Sequence, residues 1–246
     1  MSPATLVFLN SAVFLASCLQ AATGIGFGLI GGPALLTQVA VSDALIATGI
    51  LSVGIAVGLI RNVVADISWP DLKRLCLGGV IGLPAGAIAL VLANAAGLKT
   101  AAAIVVGLSL LMLFARPRQA ATVQPGLGYA AGVLCGVLGV CLSMPGPVAA
   151  AYLLREGRAK AATRATILAF FLPAHAATIP IQLLLTGPTA FNGMIVVWLA
   201  PATAIGLIAG RMLSTRLSER AFRILLQAVL AATIASLLVS AYGDLS

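Results

Sequence analysis

Charge is what this chain has least of. It carries 14 basic and 6 acidic side chains among 246 residues, or 8%, where a soluble domain of this size carries about 25%. So few charges cannot cover a globular surface, which excludes an ordinary soluble domain. Histidine occurs once, and the four cysteines (Cys18, Cys76, Cys135, Cys141) lie in apolar runs at spacings that suit neither a metal cluster nor a loop disulfide. They are expected to pack as small hydrophobes, with no metal site and no cofactor. An enzyme would need acids, histidines or cysteines gathered at one cavity, and the chain offers little to build that from. The opening "MSPATLVFLNSAVFLASC" lacks a basic flank, so it reads as a retained first span and not a cleaved signal. Function is expected within the membrane.

What the chain has in abundance is apolar length: 61% of residues are hydrophobic and the mean hydropathy is +1.14. Stretches of about 20 such residues span a bilayer. The net charge of +8 sits in short loops between these stretches, the pattern of orientation signals and anionic-lipid contact and not of nucleic-acid binding. Apolar segments run at about 4–22, 24–40, 43–60, 74–93, 99–115, 126–141, 145–154, 161–185, 191–210 and 221–241. The pairs 4–22/24–40 and 126–141/145–154 read either as one span or as a hairpin. For the second pair charge decides. If 126–154 crosses once, the basic residues divide 5 against 9; if it breaks at "SMPGP" and returns, they divide 13 against 1, with only Lys99 opposite. The hairpin reading places loops 61–74, 116–118, 155–164 and 211–223 on the cytoplasmic side.

The expected fold is therefore all-α and polytopic: two inverted repeats, 1–118 and 125–246, each with a broken-helix hairpin and three spanning helices. Short matches in the same order support duplication: "GGPALL" (31–36) with "PGPVAA" (145–150), "GLPAG" (82–86) with "GLIAG" (206–210), and Leu98-Lys99 with Phe222-Arg223. Such repeats with discontinuous helices belong to transporters, which place their site between the repeats near the midplane.

A helix broken inside the membrane leaves backbone N–H groups without partners, at the end where the helix dipole is positive. Two such ends facing each other make an anion site without charged side chains. On this reading Gly31, Gly32 and Pro33 open one half-helix and Pro145, Gly146 and Pro147 the other; Gly24 lies in the first break, and Thr23 and Ser143 add hydroxyl donors. Gln20 and Gln38 flank the first break. The competing reading is close helix packing by small residues, which fits Gly82/Gly86 and Gly206/Gly210 better than it fits the proline-containing breaks. "GFGLIG" (26–31) matches a dinucleotide fingerprint but lacks the strand that such a fold requires.

His175 lies mid-span between Pro173 and Pro180. It either carries a coupling proton or is a neutral imidazole bonded to a carbonyl freed by proline. Arg164, in "ATRAT" (162–166), either reaches outward to the interface or turns inward to an anion with Thr163 and Thr166 beside it; Thr48 is its counterpart in the first half. Asp66, Asp71, Glu156 and Glu219 read as solvated pairs, Trp69 as an interfacial residue and Trp198 as a packed one.

At the glycine-rich first break, "MPGP", "ATRAT" and the duplicated layout, the chain resembles the sulfite exporter TauE/SafE family (the TSUP membrane permeases) over almost its whole length. The resemblance implies a carrier, often an exporter, in the bacterial inner membrane for a small anion: sulfite, a sulfonate or a carboxylate. The partners expected are that anion and the lipid bilayer, and a homo-oligomer is compatible with the pattern. An anion channel built on the same breaks is the alternative.

Overall fold

The computed structural model describes residues 2–114, 125–187 and 190–213, with scattered positions between 231 and 242. Arg116, Arg118, Arg216, Arg220 and Arg223, and most of the expected span at 221–241, lie outside the described residues. Among the described residues there are nine α-helices and no strand. They are α1 (Pro3–Thr23), α2 (Gly32–Leu36), α3 (Val41–Ile60), α4 (Trp69–Leu92), α5 (Ala95–Phe114), α6 (Pro125–Leu142), α7 (Gly146–Arg155), α8 (Lys160–Thr186) and α9 (Met194–Leu213). Helices α1, α3, α4, α8 and α9 are long and apolar enough to cross a membrane. The chain is thus an all-α, multi-pass membrane protein.

Local chemistry explains several of the helix ends. Ser2 caps α1, its hydroxyl accepting the Thr5 N–H at 3.1 Å, and Pro3 occupies the first turn, where no N–H is missed. The helix stops at Gly24, whose φ of +84° a side chain would resist.

Glycine seams hold the bundle together. Gly78, Gly82 and Gly86 of α4 lie against the backbone of Tyr129, Val133 and Val137 in α6, while Gly206 and Gly210 of α9 lie against Phe14 and Cys18 of α1. Residue numbers rise together along both seams, so each helix pair is parallel. In an apolar solvent, close backbone approach of this kind replaces hydrophobic burial as the source of helix association. All four cysteines are free; Cys135 and Cys141 are buried and Cys18 and Cys76 half-buried.

Polar contacts show which helix ends lie together. At the start of α8, Thr166 Oγ1 accepts the Ser68 N–H at 2.9 Å, and Asp71 joins Tyr152 Oη at 2.8 Å and Arg158 Nε at 2.7 Å. Gly128, near the start of α6, also packs against Tyr152 and Arg74. So α4 begins, α7 ends and α6 begins at that one end of α8. At the other end, Ser42 Oγ donates to the Ala190 carbonyl at 3.3 Å and the Asn192 N–H to Asp43 at 2.7 Å. There α3 and α9 begin, and with α9 its parallel neighbour α1. Segment α6–α7 thus enters and leaves at one end of α8, and α1–α2 at the other. Arg61, Lys73, Arg74, Arg155, Arg158, Lys160, Arg164 and Arg211 all fall toward the first end, and Lys99 toward the second.

Two sequence expectations are corrected. Asp71 is not solvated but 0% exposed, because Ser68, Arg74, Tyr152 and Arg158 enclose its carboxylate. Trp198 is 41% exposed on the outer face of α9, where an apolar ring suits lipid as well as core, while Trp69 is 54% exposed.

Candidate functional site

The two breaks share one construction. They turn at Gly24 and Ser143, 119 residues apart, with φ of +84° and +54°. Among the described residues Ser143 is the only non-glycine with positive φ. The Gly24 N–H closes onto the Gln20 carbonyl at 2.8 Å and the Ser143 N–H onto that of Gly139 at 3.1 Å, again 119 residues apart. A left-handed serine costs about 1–2 kcal/mol. Its hydroxyl offsets this by donating to the Leu45 carbonyl at 2.8 Å and accepting from Gln182 Nε2 at 2.9 Å, each bond contributing about 1 kcal/mol.

The second half-helix opens where the sequence places it, with Pro145 as N-cap and Gly146 and Pro147 in the first turn of α7. The first opens earlier than expected. Gly31, Gly32 and Pro33 lie inside a continuous helical run that starts at Phe27 as a π-helical turn, Phe27–Gly31, and passes into α2. The reason is Pro33, which lacks the N–H of an α-helical ladder. A widened turn absorbs the defect, and the Gly32 N–H bonds the Phe27 carbonyl five residues back. Gly31 makes room for the Phe27 ring, 3.0 Å from where a Cβ would stand.

The breaks meet. Ile25, Gly26, Gly28 and Leu29 face residues 143–147 across a narrow crevice of about 10 Å³, which Ser52, Phe171 and His175 complete. First-turn N–H groups at Phe27, Gly28, Gly146 and Val148 have no carbonyl one turn earlier within their helices, so both positive helix ends border one space. Glycine at 28 lets the breaks approach closely, since a Cβ would stand 3.2 Å from the Ser143 carbonyl oxygen. His175 is 1% exposed, its ring centroid 5.7 Å from that of Phe171, and its Nδ1, packed against Gly49, has no hydrogen-bond partner. Thr178 Oγ1 and Gln182 Oε1, farther along the same face of α8, are also buried without partners. A larger cavity of about 70 Å³ lies between α4, α6 and α8, but apart from Thr178 and the thiols of Cys76 and Cys135 its walls are apolar and no helix terminus points into it.

Of the residues singled out from sequence, Ser143, Pro145, Gly146, Pro147 and His175 line the crevice. The others stand behind it. Thr23 Oγ1 lies within donating distance of the Leu19 and Ile25 carbonyls, at 2.8 and 2.6 Å, and its one O–H serves either, closing the first break on itself. Gln20 is fully buried and exchanges hydrogen bonds with Ser52. Thr48 Oγ1 bonds the Ala44 carbonyl in its own helix, beside Gly32; Thr163 Oγ1 reaches the Arg158 carbonyl at 3.4 Å, and Thr166 accepts from Ser68. Arg164 turns inward, but to backbone: Nε and Nη2 both donate to the Ala21 carbonyl, at 3.1 and 2.6 Å. Gln38 lies at the exposed end of α2. Sequence reading missed Ser52, Met144, Phe171 and Gln182; the one signal for Gln182 was an amide seven residues after His175, on the same helical face.

Gly24 also tests the construction. A Cβ there would stand 3.0 Å from the Arg164 carbonyl oxygen on a left-handed backbone. Gly24→Ala is expected to lower stability by about 1–2 kcal/mol or more, read as a lower thermal midpoint in detergent. An unchanged midpoint would show that the turn can relax.

No curated protein and no solved structure matches this chain. Residues 9–237 match the family described as Sulfite exporter TauE/SafE, a stretch that takes in both breaks and every wall of the crevice between them. The chain belongs to the sulfite exporter TauE/SafE family, and hence among membrane transport proteins.

Proposed function

We propose that this protein is a secondary carrier that exports a small sulfur-containing or organic anion by alternating access around the crevice. One observation carries the reading: two half-helix starts, approaching from opposite ends of α8, border the same crevice. Their N–H groups and dipoles favour negative charge, and no acidic side chain lines the space. The recurrence of turn, closing bond and N-cap (Ala40 and Ala159) at a spacing of 119 supports an inverted repeat over 1–118 and 125–246. Exchange of neighbours between halves, α4 with α6 and α9 with α1, supports it too. Rocking one repeat against the other would open the crevice to each side in turn. The basic end of α8 is the cytoplasmic one by the positive-inside rule, in a bacterial inner membrane.

His175 is the proton-coupling residue of this proposal, being the only imidazole and a wall of the crevice. Proteoliposomes loaded with sulfite, sulfoacetate, taurine or a small carboxylate should show uptake accelerated by substrate on the far side. His175→Gln should keep that exchange, which moves no net proton, and lose accumulation driven by a pH gradient. Single-channel currents without counterflow would replace the carrier by a channel. A true substrate at 100 times its Kd should stabilise the folded protein by about 2.7 kcal/mol, so a thermal-shift screen ranks the candidates first.

A further inference from the structure

Arg164 and Gln182 stand at opposite ends of α8 and make the same contact twice. Arg164 Nε and Nη2 bond the Ala21 carbonyl, and Gln182 Nε2 bonds those of Val140 at 2.8 Å and Gly139 at 3.2 Å. Ala21 and Val140 are 119 residues apart, so the same carbonyl of each broken helix receives a donor from α8. Neither carbonyl keeps its helical partner. The Ile25 N–H turns to Thr23 Oγ1 and the Met144 N–H to the Leu138 carbonyl. Orphan carbonyls at a helix end carry the negative pole of the dipole. Here they lie only a few residues from the crevice, where they oppose an anion.

We infer that Arg164 and Gln182 are paired positioning residues: each ties down and screens the negative end of one broken helix, so that the positive starts of the half-helices dominate the crevice, and neither touches the anion. Neither residue lines the crevice. Arg164 spends two donors on Ala21, and Gln182 Nε2 spends its donors on two carbonyls and Ser143 Oγ. The assignment to an anion rests on the carrier reading; the tie itself does not.

Amide hydrogen exchange separates the two. In Arg164→Ala, peptides covering 18–28 should exchange about tenfold faster, the scale of losing a bond to a charged donor, while peptides covering 138–147 keep wild-type rates. Gln182→Leu should do the reverse. Arg164→Gln keeps amide donors and should recover most of the protection and flux that Arg164→Ala loses, with the same ratio of flux for sulfite over monoanionic methanesulfonate as wild type. The inference is overturned if both breaks loosen together in either variant, if neither loosens, or if Arg164→Gln loses sulfite flux selectively, which makes the guanidinium a ligand. If wild-type protein moves no anion, the carrier reading falls while the exchange pattern still decides the tie.

Discussion

Gly82→Leu is expected to yield no folded protein. A Cβ at position 82 would fall onto the Val133 carbonyl oxygen, and its next contact is the Val133 carbonyl carbon at 2.9 Å. Overpacking a core of side chains costs about 1–3 kcal/mol because rotamers give way. Here the obstacle is backbone in a facing helix, so α4 and α6 must separate along a seam that Gly78, Gly86, Gly132 and Gly136 also form. Gly54→Leu is the matched control: same change, also mid-helix, with nothing within 4 Å of its Cβ. The expected result is loss of the monodisperse species in size-exclusion chromatography for position 82 and its retention for 54. Equal behaviour at the two positions would mean that the α4–α6 seam does not hold the bundle.

Asp71→Ala should be the most costly polar change, at about 3 kcal/mol. The carboxylate is 0% exposed and holds four groups, Ser68 Oγ at 2.6 Å, Arg74 at 3.2 Å, Tyr152 Oη and Arg158. Removing it strands the buried Tyr152 hydroxyl, whereas Arg158, one-third exposed, can turn toward water, which limits the loss. Because the cluster is enclosed, the difference between wild type and variant should persist from low to high salt. Thermal unfolding across that range checks both points; a difference that vanishes in salt would make this a surface ion pair. The cluster ties the end of α7 to the start of α4, so the same variant should also speed proteolysis between residues 155 and 160.

Part of the candidate site was legible because helix breakers in an apolar run have few other uses. "SMPGP" marks its own break: Pro145 and Pro147 forgo N–H groups that a continuous helix would need, and the structure turns there. The first break misled because five glycines are spread over nine positions, and the proline, the most visible of the signals, is not where the chain turns. A π-helical turn hid Pro33 inside a helix, and pattern reading has no sign for that. For Arg164 the sequence left outward and inward readings open; the side chain turns inward, but its partner is a carbonyl created by the break itself, and no residue type announces such a partner. Asp71 was misread for a similar reason. Its enclosing groups come from the residue before α4, from α4, from α7 and from the loop after α7, and sequence distance hides their convergence.

Composition alone made this a membrane protein of many spans, since 20 charges cannot clothe 246 residues in water. The spacing of basic residues and the prolines likewise made the 126–154 segment a hairpin. Only the folded chain decided which residues face the crevice and which stand behind it. That depends on two helices turning at Gly24 and Ser143 and on α8 crossing both, contacts between residues up to 143 positions apart. Sidedness and periodicity are local properties that a sequence carries at each residue, but convergence is a property of packing.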